Sequence, residues 1–292
     1  MTPLYDLIIE PFVQFGFMRR ALVGCAAVSL GAGPVGVFLL LRRLSLTGDA
    51  LAHAILPGAA IGFVFAGLSL TAMTIGGMIA GLITALGAGA ISRATPLRED
   101  ASLAAFYLIS LALGVAIIAT YGGAVDVMHV LFGNVLALDD NALLLLCSIA
   151  TVSTVIVAAI FRMLVLGCVD PLFLRSVTRH SRFTDDVYLV LVVLNVVAAF
   201  HAVGTLMAVG VMILPAAIAK FWARGVGEMV LIAVASAIAA SFAGLVFSFH
   251  IAVPSGPAIV LALGVVYALS IVFGREGGLV YRLFNRTVRL EA

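Results

Sequence analysis

The sequence predicts an all-α, polytopic transmembrane protein of about eight or nine spans, some of them broken. Three observations predict it. Hydrophobic residues make up 64% of the chain and charged residues only 10%, where soluble domains carry about 25% charged residues. Mean hydropathy is +1.26. The charges are clustered and leave long stretches free of Lys, Arg, Asp and Glu. About 20 apolar residues cross a bilayer as a helix, and a charge at the centre of such a helix costs about 2.5–3.5 kcal/mol on insertion scales. A water-soluble fold of this composition would expose its apolar surplus, whereas lipid accommodates it.

The elements follow from those charge-free stretches. Residues 2–17 mix Leu4, Tyr5, Leu7, Ile8 and Phe12 with Asp6, Glu10 and Gln14, which fits a short interfacial or partly inserted helix. Asp6 and Glu10 precede the first basic pair, Arg19 and Arg20, so the basic-then-apolar order of a cleaved signal is missing. Ala21–Leu41 is one span, interrupted by Gly31, Gly33, Pro34 and Gly36. The uncharged stretch from His53 to Ser92 holds two helices, turning at Gly67 to Ser69. Ala101–Val125 and Asn141–Phe161 are single spans, with Glu99 and Asp100 capping the first and Asp139 and Asp140 the second. Val187–Ala219 is one long helix or two short ones meeting near His201 and Gly204. Met229–Gly274 holds two more, divided around His250 and Pro254 to Pro257. GxxxG pairs at Gly58/Gly62 and Gly77/Gly81 allow close helix approach.

Nine spans give the stronger charge asymmetry. Alternate connections (42–53, 93–100, 162–186, 220–228 and the tail from Arg275) then share one side and hold 14 of the 16 Lys and Arg residues, leaving Arg19 and Arg20 opposite. Positive charge marks the cytoplasmic side. The chain reads as one membrane domain, 1–292, whose most polar connection is 162–186. Within it Asp170 can cap a short helix begun by Pro171, with Leu172, Phe173, Leu174 and Val177 as an apolar face. That helix fits either a lipid surface or a soluble partner.

Asp49 and His53 are the most pointed polar residues. Four apart, they share a helix face, and carboxylate with imidazole suits a divalent metal such as Zn2+ or Mn2+. Gly48 and Pro57 flank the pair and favour a discontinuous helix. The alternative is a local one: Asp49 caps the helix and His53 bonds to it. Asp126 and His129, with Asn134, form a second group between spans, and His201 and His250 are further imidazoles in or beside apolar runs.

A net charge of +2 gives no reason to expect a nucleic-acid partner. The cysteines Cys25, Cys147 and Cys168 form no CxxC pair. No GxxxxGK[ST] motif, HExxH or evident Ser/His/Asp set occurs. If ATP drives any work by this chain, another subunit must bind and hydrolyse it, and the chain itself is expected to be non-enzymatic with no tightly bound cofactor.

At this point the sequence resembles the permease subunits of bacterial ATP-binding-cassette importers for zinc, manganese or iron, the ABC-3 family. The resemblance rests on Phe17-Met-Arg-Arg-Ala-Leu22 and on the run Gly36 to Gly58 containing Leu44-Ser-Leu-Thr-Gly-Asp-Ala-Leu-Ala-His53, with Ala52 where the family usually has Ser. Arg98-Glu-Asp100, His129-Val-Leu-Phe-Gly-Asn134, Asp170-Pro171, Leu214-Pro-Ala-Ala217 and Ser255-Gly-Pro257 follow in family order. The resemblance implies a multi-pass protein of the bacterial inner membrane and a second permease copy. It also implies cytoplasmic ATPases and an external metal-binding protein. Asp49 and His53 would line the metal path, with Asp126, His129 and His201 as further polar candidates along it. The connection bearing Asp170, Pro171, Arg175 and Arg179 would meet the ATPase. The rivals are a gradient-driven secondary metal transporter and a nontransporting membrane scaffold.

Overall fold

The computed structural model describes residues 8–67, 69–97, 99–121, 135–177, 181–251 and 253–281. Every long element is a helix: α1 Glu10–Gln14, α2 Gly16–Leu41, α3 Ser45–Ala54, α4 Leu56–Ala66, α5 Leu70–Ala94, α6 Glu99–Tyr121, α7 Asp140–Val169, α8 Pro171–Val177, α9 Ser181–Val203, α10 Thr205–Lys220, α11 Val226–Ile251 and α12 Ser255–Phe273. A 3-10 turn, Val135–Ala137, precedes α7.

Among the described residues eight helical stretches are long and apolar enough to cross a bilayer, with α3 and α4 counted together as Ser45–Ala66. The shorter apolar helix is α10. Its 16 residues rise about 24 Å at 1.5 Å each, less than the ~30 Å hydrocarbon core. The run 187–219 is therefore two helices, broken at Gly204, whose φ of 83° only glycine adopts readily.

Both ends of the bundle carry ion pairs. Arg42 meets Asp185 at 2.8 Å and Arg93 meets Asp186 at 3.5 Å, tying the ends of α2 and α5 to the start of α9. On the same end Val37, Ala216, Ala219, Met229 and Ala233 pack together. Arg224 there bonds Glu276 at 3.0 Å. At the other end Arg20 pairs with Asp140 at 3.2 Å. That exposed pair gives Arg20 a partner at the end where the charge asymmetry leaves it, and α2 begins at Gly16 rather than Ala21. Asp139 caps α7 as expected, accepting from the Ala142 N–H at 2.9 Å.

Three sequence expectations are corrected. Gly31, Gly33, Pro34 and Gly36 do not interrupt α2, which runs unbroken through Pro34. Its small residues instead admit neighbours: a Cβ on Gly36 would overlap the Met212 carbonyl of α10. The connection after α2 is shorter than the expected 42–53 and stops before Ser45, where α3 begins; Asp49 and His53 lie on that helix, as their four-residue spacing suggests. The polar segment 162–186 is largely helical, because α7 continues through Arg162 to Val169 and α9 starts at Ser181. The GxxxG expectation holds at Gly58, which lies against the Gly76 backbone of α5 so closely that a Cβ on either would overlap the other's carbonyl.

Burial grades across the bundle. The α2 window is 78% buried and the Ala101–Tyr121 part of α6 only 11%. α2, α3 and α9 form the packed interior, with Phe38, Leu39, Leu51, Ile55, Tyr188 and Val192 wholly inside.

Candidate functional site

The site begins where α2 ends. Arg43 takes a left-handed turn, φ 61°, and α3 starts two residues later. Small residues let α3 sink into the bundle: Thr47, Gly48, Ala50, Leu51, Ala52 and Ala54 are buried, and the Met212 methyl occupies the space a side chain at Gly48 would need. What remains outward is a stripe at i, i+3, i+7: Leu46, Asp49 and His53. The Asp49 side chain is 60% exposed and that of His53 32%. By the helical rise they stand about 6 and 12 Å along α3 from Ser45, on the arginine-rich side of the span.

His53 Nε2 lies 3.8 Å from Asp49 Oδ1. That is too long for a hydrogen bond, so Asp49 does not satisfy His53 in the way the local alternative requires. Two ligands each about 2.0–2.2 Å from one ion can stand this far apart. His53 Nδ1 is buried and has no hydrogen-bond partner among the described residues. No cluster of three or more His, Cys, Asp or Glu occurs among the described residues.

The helix kinks just beyond. Ile55 keeps helical dihedrals (φ −72°, ψ −27°), donates to the Leu51 carbonyl and accepts from the Ala59 N–H, so α3 runs into α4, which starts at Leu56, through an interruption of the hydrogen-bond ladder rather than a full break. Pro57 has no N–H for the His53 carbonyl four residues back, so the interruption falls beside the imidazole.

A family model described as the ABC 3 transport family matches residues 14–274. The chain belongs to the ABC-3 family. It is 30% identical over 275 residues to the manganese transport system membrane protein MntC of Listeria innocua, covering 94% of this chain and 97% of that one. It is 31% identical over 262 residues to the manganese import system permease protein ScaB of Streptococcus parasanguinis, covering 90% and 92%. A solved structure of PsaBC from Streptococcus pneumoniae in complex with Fab superimposes with a TM-score of 0.84 at 28% identity, over 99% of this chain and 100% of that one. An inward-facing metal-chelate type ABC transporter shares the fold at TM-score 0.70 and 13% identity, over 87% and 85%. This ABC-3 chain is accordingly a multi-pass membrane permease of the bacterial inner membrane.

The remaining candidates separate. In this ABC-3 chain Asp126, His129 and Arg179 lie outside the described residues. His201 falls in α9, two residues before its end at Val203, and His250 in the last turn of α11. Asp170 does what its position predicts: Oδ1 accepts from the Phe173 N–H at 2.9 Å and caps α8, which Pro171 opens and which contains Arg175. Leu174 is buried, whereas Leu172 and Phe173 stand exposed.

Sequence reasoning missed Arg42 as a junction. Its guanidinium bonds Asp185 and lies 4.8 Å from the Tyr188 ring centroid, and the Tyr188 hydroxyl donates to the Val35 carbonyl at 2.8 Å. Arg42 and Asp185 are 143 residues apart, a pairing that no local spacing announces. The one available signal was that a basic residue at a helix end needs a partner.

Proposed function

We propose that this chain is the membrane-spanning subunit of an ATP-driven importer for a divalent transition-metal ion, with Asp49 and His53 lining the ion's path. The observation that carries this reading is the exposed Asp49–His53 stripe on a helix that is otherwise buried and that kinks just beyond His53. A carboxylate facing hydrocarbon is unfavourable, so the stripe belongs against a polar path or another protein. A second copy of the chain across this stripe would shelter both side chains and could add the donors that a divalent ion still needs beyond this pair.

The expected assembly has two permease copies, cytoplasmic ATPases and an external metal-binding protein. The ATPases bind at the arginine-rich end, on the 162–186 segment, through Asp170, Pro171, Arg175 and Arg179. The binding protein releases the ion at the opposite end, and Asp49 and His53 replace part of its water shell. ATP binding and hydrolysis in the partner shift the two permease copies and open the path inward. Manganese is the first ion to test, because the relatives named above as manganese systems match over nearly their whole length. Carboxylate and imidazole also accept zinc and iron.

The test is radiolabelled Mn2+ uptake into proteoliposomes holding the complete complex, with Zn2+ and Fe2+ as competitors. Uptake that requires ATP and the external binding protein supports the reading. Equal uptake by the permease alone would replace it with a gradient-driven transporter.

A further inference from the structure

The least buried long span makes an organised contact with the helix kink. Tyr107, Ser110 and Gly114 lie at i, i+3 and i+7 and share one face of α6. They meet three successive features of the α3–α4 kink. The Tyr107 ring is 6.4 Å from the His53 ring, centroid to centroid, inclined at 33°. The Ser110 hydroxyl donates to the Ala54 carbonyl at 3.1 Å. Gly114 leaves space for the kink itself: a Cβ there would stand 2.9 Å from the Pro57 nitrogen and 3.1 Å from the Leu56 Cβ.

Ser110 also differs from most hydroxyls in these spans. Ser29, Thr74, Thr120, Thr151 and Ser270 bond back to carbonyls of their own helices, as membrane Ser and Thr commonly do. Ser110 reaches a neighbouring helix, at the carbonyl next to His53. In hydrocarbon an unpaired carbonyl is costly, so this bond stabilises the kinked conformation, in which the ladder is interrupted here, over a straightened one. The aromatic ring one turn earlier on α6 bounds the space open to the imidazole.

We infer that the Tyr107–Ser110–Gly114 face of α6 positions His53, holding the α3–α4 kink so that the imidazole keeps its spacing from Asp49. Tyr107 and Ser110 are then positioning residues that set ion affinity and ion choice without touching the ion. This rests on the reading of Asp49 and His53 as the metal path. A shift of the imidazole changes the spacing between donors, and ions of different radius respond differently.

The test uses the complete reconstituted complex. KM and maximal rate for Mn2+ uptake, the Mn2+:Zn2+ uptake ratio and the melting temperature are measured for Ser110→Ala, Ser110→Thr, Tyr107→Leu and, as controls, Asp49→Asn and His53→Gln. Ser110→Ala and Tyr107→Leu are expected to raise KM about tenfold, in the range of outer-shell changes at metal sites, and to alter the ion ratio. Ser110→Thr, which keeps the hydroxyl, should restore both. A lower melting temperature with unchanged KM and ion ratio would overturn the positioning role and leave only packing. If the Ser110→Ala protein does not insert, Tyr107→Leu on this mostly exposed span decides by the same readouts. Full uptake in the Asp49→Asn and His53→Gln controls would overturn the metal-path reading itself, a result separable from wild-type behaviour of the α6 variants alone.

Discussion

Two prolines in this bundle have opposite outcomes. Pro34 sits in α2 and the helix runs through it, whereas at Pro57 the hydrogen-bond ladder is interrupted and the helix kinks between α3 and α4. The local chemistry is the same, since each lacks an N–H for the carbonyl four residues before it. The neighbours differ. At Pro34 the carbonyl concerned is that of Leu30, and the Thr154 hydroxyl of α7, which donates to the Ala150 carbonyl of its own helix at 2.8 Å, also lies 3.2 Å from it and can share its proton. α2 is buried along 31–39, so surrounding helices hold it straight. At Pro57 the supporting hydroxyl comes from Ser110 and goes to Ala54, one residue past His53, and the stripe through Asp49 and His53 is left open. A proline marks where a membrane helix can kink, and the adjoining helices decide whether it does.

The strongest way to break this comparison is Gly58→Leu. The side chain would force the α4 and α5 backbones apart where they touch. Over-packing costs about 1–3 kcal/mol and more where the backbone must move, so little folded protein should be recovered in detergent by size-exclusion chromatography. Arg42→Ala comes next. It removes the bond to Asp185 and the contact with Tyr188, and a loss of about 1–3 kcal/mol is expected from the lost charged hydrogen bond. Thermal unfolding of the purified protein checks this, and Asp185→Asn should produce part of the same loss. Thr154→Val sharpens the contrast, because it withdraws the hydroxyl shared between the Ala150 and Leu30 carbonyls and should cost at most about 1 kcal/mol, the scale of interhelical hydrogen bonds in membranes, with metal uptake per folded molecule unchanged. Pro34→Ala is the smallest: α2 is already helical there, so uptake should stay at the wild-type level in the transport assay. Pro57→Ala, by contrast, should lower uptake while leaving insertion intact.

The spans were legible because bilayer insertion penalises charge so heavily that uncharged runs mark helices. The same criterion misplaced boundaries near helix ends, where charges are tolerated. It cut α2 short at Arg20, which pairs with Asp140 at the end opposite Arg42, and it ran the connection after α2 on to His53 although α3 starts at Ser45. The Asp49–His53 pair was visible as an i, i+4 spacing, and Asp170 before Pro171 was visible as a cap. The support of the site was not visible. Ser110 and Ala54 are 56 residues apart, and Thr154 and Leu30 are 124 apart. Such contacts depend on which helices become neighbours, and apolar runs of similar length do not encode that locally.

The central claim is that Asp49 and His53 carry the ion. It is tested most directly by ATP-dependent 54Mn2+ import into proteoliposomes containing the Asp49→Asn/His53→Gln double variant of the assembled complex. The account predicts a variant that inserts, assembles and hydrolyses ATP at the basal rate while importing no more label than liposomes without ATP. Import at the wild-type rate would contradict it.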